Sequence, residues 1–187
     1  KKTILTEMEL EEKQTTAKCI NDSYNLIGCN AFTPGEQDFA AGLEFLLELE
    51  KESNYPFISC NIKDINGSLL FEPYTIININ DLKIGFIGLS SKFNHTEIMI
   101  DDPITSIEKY IGDLKTQTDL IVLLFHAIES DIIRMQKSKI NSKDYPIDLI
   151  IQSKNSKRSS NGGDENIPIF SCGNRGKYIY QFDLTIK

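Results

Sequence analysis

Apolar positions along the chain alternate between helical spacing and strand-like runs, with short polar segments between them. Residues Thr6 to Ile27 predict a helix, because Thr6 is a good N-cap and Gly28 favours a helix end. Residues Asp38 to Glu52 predict a second helix with one apolar stripe. The same spacing predicts two more helices, over 104–114 and 129–139.

The strand candidates are short and separated by turn residues. They are Cys29–Thr33, Pro56–Ile62, Tyr74–Ile79, Leu82–Leu89, Leu120–Phe125, Ile147–Ile151, Ile167–Ser171 and Tyr178–Ile186. The continuous apolar run Leu120–Phe125 is typical of a parallel strand that is covered on both faces. The polar stretch from Gln152 to Glu165 predicts a loop. Helices and strands in alternation favour a layered α/β domain with a mixed sheet.

Composition and charge exclude several classes of protein. Hydrophobic residues make up 40% and charged residues 25% of 187 positions, which is ordinary for a globular domain. Lys and Arg number 20 against 27 Asp and Glu, so the net charge is −7 and nucleic acid is not an expected partner. No apolar run approaches the roughly 20 residues of a membrane span. Four scattered cysteines do not form a disulfide scaffold, and Cys60 and Cys172 are expected to be small buried apolar residues.

Candidate chemistry lies in the loops that follow the predicted strands, because ligands of α/β sheets bind at the carboxyl ends of strands. Both histidines, His95 and His126, fall in those loops. A histidine in such a place is more often a satisfied polar residue than a metal ligand, and both interpretations stay open. Lys154 and Arg158 belong to a basic cluster that either binds an anion or is simply solvated. The Gly173–Lys177 segment predicts a turn rather than a phosphate loop, since no helix follows it.

Seven segments follow one another in an order that is similar to a known set of motifs. They are Asn30–Leu43, Pro56–Ile62, Leu70–Tyr74, Lys83–Leu89, Asp119–His126, Asp148–Ile151 and Gly173–Tyr178. These segments resemble the calcineurin-like metallophosphoesterases, specifically the bacterial 5′-nucleotidase branch. The resemblance covers nearly the whole chain and implies the layered α/β fold of the N-terminal phosphoesterase domain, with a mixed sheet. It also implies that residues 1–187 form one such domain within a larger protein.

The resemblance further implies where metal ligands should lie. The family holds two divalent metals, such as Mn, Zn or Fe, which activate a water against a phosphorus ester. The Asn ligand position is Glu36 here, the following His is Gln37, and the paired histidines of a later motif fall on Lys154 and Ser156. Only His126 remains of the ligands, so Gln37 and His126 are vestigial site positions. An ammonium at Lys154 repels a cation, and no metal cofactor is expected.

These substitutions favour a non-catalytic, metallophosphoesterase-like domain that serves as a structural or interaction module. By resemblance its setting is an exported bacterial assembly in the periplasm or at the cell surface, with a multihaem cytochrome as one candidate partner. An alternative is an active phosphoesterase or nucleotidase with a remodelled site. Glu36, Asp38 and His126 would then hold one metal, and Lys154 and Arg158 would bind phosphate. A third hypothesis is a nucleotide-binding protein without hydrolysis.

In the family, two strands that carry metal ligands precede the helix that begins here near Thr6. The resemblance therefore predicts a fold that is incomplete at its N-terminus. The missing strands would come from the same or another polypeptide, and the 187 residues alone are expected to aggregate or to unfold easily.

Overall fold

The computed structural model describes residues 6–138, 147–155, 157–163, 166–174 and 176–183. The helices are α1 (Glu7–Ile27), α2 (Leu43–Glu52), α3 (Pro103–Ile107), α4 (Ile111–Gln117) and α5 (Glu129–Lys137), with a 3-10 helix over Glu36–Phe39. The strands are β1 (Ile62–Asp64), β2 (Tyr74–Ile79), β3 (Leu82–Ser90), β4 (Ile98–Ile100), β5 (Leu120–His126), β6 (Leu149–Ser153), β7 (Arg158–Gly163) and β8 (Asn166–Cys172).

Six strands form one mixed sheet in the order β2-β3-β5-β6-β8-β7. Strands β3, β5, β6 and β8 are parallel, while β2 and β7 join them as antiparallel edge strands. Ser90, His126 and Ser153 lie side by side in this register, each as the last residue of its strand. The carboxyl ends of three neighbouring strands therefore meet at one edge of the sheet. Strands β1 and β4 form a separate two-stranded sheet.

One side of the six-stranded sheet, which we call the helix-covered face, packs against α3, α4 and α5. Its strand residues are Ile87, Leu89, Ile121, Leu123, Phe125, Ile150 and Ile169, and its helix residues include Ile107, Ile111, Leu114, Ile132 and Met135. All of them are buried. Full burial of one such side chain contributes about 1.5–3 kcal/mol, so this face provides much of the stability of the domain.

The other side of the same sheet, the opposite face, is covered less completely. Ile84, Val122 and Leu149 are buried there. Their neighbours Ile77, Leu82, Phe86, Leu120, Leu124, Ile151 and Phe170 are only partly buried. At one end Phe170 contacts the rings of Tyr180 and Phe182, with centroids 5.3 and 4.8 Å away.

A third apolar cluster lies under α1 and is built from α2, the 3-10 helix and the segment around Phe57. Its buried members are Phe39, Phe45, Leu46, Leu49, Tyr55, Phe57, Ile62, Phe71, Ile98 and Ile100. Helix α1 begins at its Thr6 cap with a full capping box and ends at Gly28, whose φ of 82° lies in the left-handed region. Both predicted ends of this helix are confirmed.

Other predicted boundaries are wrong. The single helix predicted over Asp38–Glu52 is divided into the 3-10 helix and α2, because Gly42 adopts a φ of 99° between them. The helix predicted over 104–114 is likewise two helices, α3 and α4. Strand β4 was not predicted. Cys60 is buried as expected, whereas Cys172 is only partly buried.

Several predicted strands also change. The predicted strands Cys29–Thr33 and Pro56–Ile62 contain isolated bridges, such as Phe32 with Phe57, rather than continuous strands, and Ile62 belongs to β1. The loop predicted over 152–165 contains strand β7. The final strand predicted over Tyr178–Ile186 is wrong for 178–183, which have no regular secondary structure, and the rest lies outside the described residues, as does Lys139.

Candidate active site

His126 is the central residue of the candidate site and lies at the carboxyl end of β5, as predicted. Its Nδ1 lies 3.0 Å from Oγ of Ser153, the last residue of the neighbouring strand β6. Its Nε2 accepts the backbone N–H of Glu36 at 3.4 Å. Because Nε2 accepts, the proton of the neutral ring resides on Nδ1, which donates to Ser153. Both ring nitrogens therefore have partners within the protein.

The surroundings of His126 keep its ring neutral. Burial, together with the positive charge of Lys154, lowers the pKa of His126 from 6.5 to about 4, and the carboxylate of Glu36 offsets this only in part. A neutral imidazole is the form that makes the two hydrogen bonds described above.

Gly35 allows the loop before the 3-10 helix to approach His126. A methyl group on Gly35 would lie 2.3 Å from Nδ1 of the ring, which is far inside van der Waals contact. The backbone N–H of Gly35 donates to the carboxylate of Asp38 at 2.7 Å and so closes the turn. Glycine is thus required at this position because no side chain fits between the backbone and the imidazole.

Lys154 follows β6 directly and forms an ion pair across the site. Its Nζ lies 2.6 Å from Oε2 of Glu36, a residue 118 positions earlier in the chain. Lys154 has a φ of 68°, which is uncommon for a residue with a side chain and often marks functional or strained positions. The two side chains are 28% and 43% exposed, so the pair contributes only about 0–1 kcal/mol to stability.

The remaining predicted residues are more dispersed. Gln37 and Asp38 line a cavity beside α1 and make no hydrogen bond with His126. The guanidinium of Arg158 lies over the rings of Tyr178 and Tyr180, 5.1 and 5.5 Å from their centroids. His95 packs against Phe39, with ring centroids 5.5 Å apart, and its Nδ1 accepts the N–H of Glu97. Ser156 lies outside the described residues.

Known proteins are similar to this chain, some in sequence and some in fold. No family model matches the chain. The 5′-nucleotidase of Bos taurus is 33% identical over 131 residues, which are 62% of this chain and 22% of that protein. The calcineurin-like phosphoesterase YfkN of Bacillus subtilis has 21% identity and a TM-score of 0.65 over 87% of this chain and 60% of its own. A protein of Staphylococcus aureus assigned as a 5′-nucleotidase reaches a TM-score of 0.70, at 19% identity over 86% of this chain and 35% of its own.

The chain is similar in sequence to proteins of the 5′-nucleotidase branch and in fold to calcineurin-like phosphoesterases. The predicted resemblance to this branch and the predicted α/β fold with a mixed sheet are both confirmed. The chain spans about a fifth of the length of the bovine relative, so the activity of that whole protein is not assigned to this chain. None of the described helices is long and apolar enough to cross a lipid bilayer.

The residues present do not fit the two-metal site of this branch. The ammonium of Lys154 and the carboxylate of Glu36 neutralise each other where the resemblance expects a His and an Asn ligand. The ring nitrogens of His126 already have partners. Within the described ranges, no three His, Cys, Asp or Glu side chains come together in an arrangement that holds a metal ion.

Two contacts of His126 were not predicted from the sequence. Ser153 is adjacent because β5 and β6 are parallel neighbours in register, and the strand order is not evident from one sequence. Gly35 lies in the Asn30–Leu43 segment that carries the family resemblance, but its close approach to the His126 ring was not predicted. The Glu36–Lys154 pair was also missed, although the family resemblance had assigned both residues to ligand positions.

Proposed function

We propose that this domain is non-catalytic and serves as a structural or interaction module of a larger protein. The ion pair between Lys154 and Glu36 carries the proposal, because the ammonium of Lys154 supplies the positive charge that a metal cation would supply at this edge of the sheet. A metal ion placed beside Lys154 would meet like-charge repulsion in a half-buried setting.

The hydrogen bonds of His126 support the same proposal. With Nε2 accepting from Glu36, the ring has no free nitrogen lone pair for a metal or for a substrate proton. We therefore assign His126 a structural role that links the 3-10 helix to the ends of β5 and β6.

The setting we propose for the module is an exported bacterial assembly, in the periplasm or at the cell surface. A multihaem cytochrome is the candidate partner that the family resemblance suggests. We further propose that strands from elsewhere in the same polypeptide, or from a partner, cover the opposite face. The support for this part is that residues of this face such as Phe86, Leu124 and Ile151 are only half-buried.

Metal content and hydrolysis test the proposal together. The purified protein is analysed for bound transition metals and assayed with added Mn²⁺ on nucleoside monophosphates and on a generic phosphodiester. We expect metal well below one equivalent per chain and no turnover above that of buffer. The alternative of an active, remodelled site predicts bound metal and turnover that depends on His126.

Two variants make the result specific. His126→Ala should leave any background rate unchanged and should cost at most about 1–2 kcal/mol of stability, as expected for the loss of hydrogen bonds from one polar side chain. His95→Ala is the matched control, because it removes the other histidine of the chain. Stoichiometric metal, or hydrolysis that His126→Ala abolishes and His95→Ala retains, would refute the proposal.

A further inference from the structure

The turn that follows β1 places an Asn-Gly pair at its exposed tip. The N–H of Asp64 donates to the carbonyl of Ser68 at 2.9 Å, and the N–H of Gly67 donates to the carbonyl of Asp64 at 3.1 Å. Residues 65–68 are all exposed. Asn66 and Gly67 therefore lie in a tight turn that water reaches freely.

An asparagine that precedes glycine can react with its own main chain. The backbone nitrogen of the second residue can bond to the side-chain carbonyl carbon of the asparagine, which closes a cyclic imide (succinimide). A side chain on the second residue hinders this approach, whereas glycine has none and adopts a wide range of φ and ψ. At Gly67 an added Cβ would meet no atom within 4 Å, so the side on which a side chain would lie is open to water.

The side chain of Asn66 is held only weakly. Its Nδ2 donates to Oδ2 of Asp64 at 3.4 Å, which is longer than the usual N–H···O distance of about 2.9–3.0 Å. The main chain is held more firmly, since Oδ1 of Asp64 accepts the N–H of Asn66 at 2.8 Å and that of Ser68 at 2.9 Å. Ring closure therefore breaks one long side-chain hydrogen bond and the 3.1 Å bond from Gly67, while Asp64 keeps the turn in place.

The sequence contains one other Asn-Gly pair, Asn161-Gly162, and its backbone is held differently. Asn161 pairs with Ile169 and Gly163 pairs with Asn166, so β8 holds the chain on both sides of Gly162. Ring closure there requires β7 to separate locally from β8, and each hydrogen bond that opens lowers the fraction of reactive molecules. Two chemically identical pairs are therefore expected to react at different rates because of their surroundings.

We propose that Asn66 is a site of spontaneous deamidation, at which the backbone nitrogen of Gly67 bonds to the side-chain carbonyl carbon of Asn66 and Nδ2 leaves as ammonia. The proton of the Gly67 N–H passes to solvent, and the leaving nitrogen takes up a proton from solvent. A water molecule then opens the succinimide at either carbonyl, which gives aspartate or isoaspartate. The reaction consumes one water, releases one ammonia and needs no oxidant or reductant. It is independent of the proposed non-catalytic role.

The product would disturb the turn that contains it. Hydrogen bonds from backbone N–H groups, that of Ser68 above all, lower the pKa of Asp64, so this carboxyl is ionised at neutral pH. A second carboxylate at position 66 loses the bond to Asp64 and adds like-charge repulsion. Isoaspartate also inserts a methylene into the main chain, which shifts the register between Asp64 and Ser68. The modified turn is therefore expected to hold the end of β1 less firmly.

Timed incubation of the purified 187-residue chain tests the proposal. The protein is kept at 37 °C at pH 6 and at pH 8.5, in dilute buffer and in concentrated urea, and circular dichroism monitors the folded state. Samples are digested with trypsin and analysed by tandem mass spectrometry, with a sample taken at time zero as the correction for reaction during digestion. Trypsin cleaves after Lys63 and after Arg158, so the two Asn-Gly pairs fall in different peptides.

The rates of the two pairs are then compared within one sample. In dilute buffer at pH 8.5 we expect Asn66 to convert about tenfold faster than Asn161, which corresponds to the opening of one or two backbone hydrogen bonds at Asn161. Conversion should be slower at pH 6, because the attacking nitrogen must lose its proton. In urea the two rates should become nearly equal, since neither pair keeps its folded surroundings.

Matched variants test the route and the consequence. Gly67→Ala should slow conversion of Asn66 in urea, where the turn imposes no strain, and leave Asn161 unchanged. Gly162→Ala should do the reverse. Asn66→Asp, which carries the product carboxylate, should lower the melting temperature at pH 8.5 more than Asn66→Gln does, and an Asp64→Asn background should reduce that difference.

Absence of conversion at Asn66 in the folded chain, or conversion no faster than at Asn161, would overturn the proposal. Conversion of Asn66 that Gly67→Ala leaves unchanged would overturn it as well, because the reaction would then not pass through the succinimide. These readouts do not depend on metal content or on hydrolysis of a phosphorus ester. Failure of this proposal is therefore distinguishable from failure of the proposed function.

Discussion

The two faces of the six-stranded sheet differ sharply in burial although the same strands supply both. Leu123 on the helix-covered face is fully buried, whereas Leu124, the next residue of β5, is only partly buried on the opposite face. Because strand residues alternate, His126 and Ser153 project on the same side as Leu124 and Ile151. The face that contributes most to stability is therefore separate from the face at whose edge the candidate site lies.

A pair of substitutions in β5 tests this contrast directly and should give the largest effect. Leu123→Ala should lower the free energy of unfolding by about 3 kcal/mol, since it leaves a cavity in a fully packed core. Leu124→Ala removes the same atoms from a half-buried site and should cost about 1 kcal/mol. Urea unfolding of both variants measures the difference. Equal costs would show that the opposite face is as well packed as the helix-covered one.

Gly35→Ala should have the next largest effect, because its methyl group would overlap the His126 ring. We expect a loss of about 1–3 kcal/mol, as for overpacking elsewhere, with displacement of the imidazole from Ser153. The NMR signals of the His126 ring report that displacement. Ala31→Gly, in the same segment but without a contact to the ring, serves as control. Unchanged ring signals in Gly35→Ala would contradict the close approach described here.

Local signals account for what the sequence predicted well. Both ends of α1 are determined by residues within one turn, Thr6 with Glu9 and Gly28 with Tyr24, and both were predicted. The break at Gly42 was missed, because helical spacing continues across it and only its left-handed backbone reveals the interruption. Strand β7 was missed since its residues, RSSNGG, are those of a loop and its pairing with β8 is tertiary.

The sequence predicted which residues form the candidate site, but not how they contact one another. His126, Glu36 and Lys154 were all singled out, but their mutual contacts depend on strand order and on a loop that crosses the sheet edge. The pairing of Lys154 with Glu36 spans 118 residues, and no local pattern encodes such a contact. Arg158 was assigned to anion binding, yet its stacking on Tyr178 and Tyr180 depends on the fold of residues after β8.

The pH dependence of stability should reveal the state of His126 on the opposite face. The pKa of His126 is about 4 in the folded chain and 6.5 ordinarily. The imidazole of His126 therefore binds a proton more tightly in the unfolded chain than in the folded one. The stability contributed by the neutral ring is complete above pH 6.5 and is lost as the pH falls through about 4. The positive charge of Lys154 lowers the pKa of His126, and the negative charge of Glu36 acts in the opposite direction.

His126→Gln should therefore flatten the loss of stability between pH 6.5 and pH 4.5, measured by urea unfolding at both values. His95→Gln should retain the slope of the parent. An NMR titration of the His126 ring should place its pKa below 5. A ring that titrates near 6.5 would show that the site is open to water and would remove the basis of this prediction.

The smallest effect is expected for the ion pair at the edge of the opposite face. A double-mutant cycle with Lys154→Gln and Glu36→Gln should give a coupling of about 0.5 kcal/mol, because both side chains are partly exposed. The coupling should decrease further in 0.5 M salt. A coupling of several kcal/mol would mean that the opposite face is as strongly stabilised as the helix-covered one.

The capping box of α1 has a kinetic consequence. Hydrogen bonds between Thr6 and Glu9 start the helix, and the left-handed turn at Gly28 ends it, so neither end requires a distant residue. Asn21 and Asn25 join the helix to residues about 28 positions further along the chain, at the end of α2. Contacts within one turn close faster than contacts between distant residues, so α1 should form early when the domain folds.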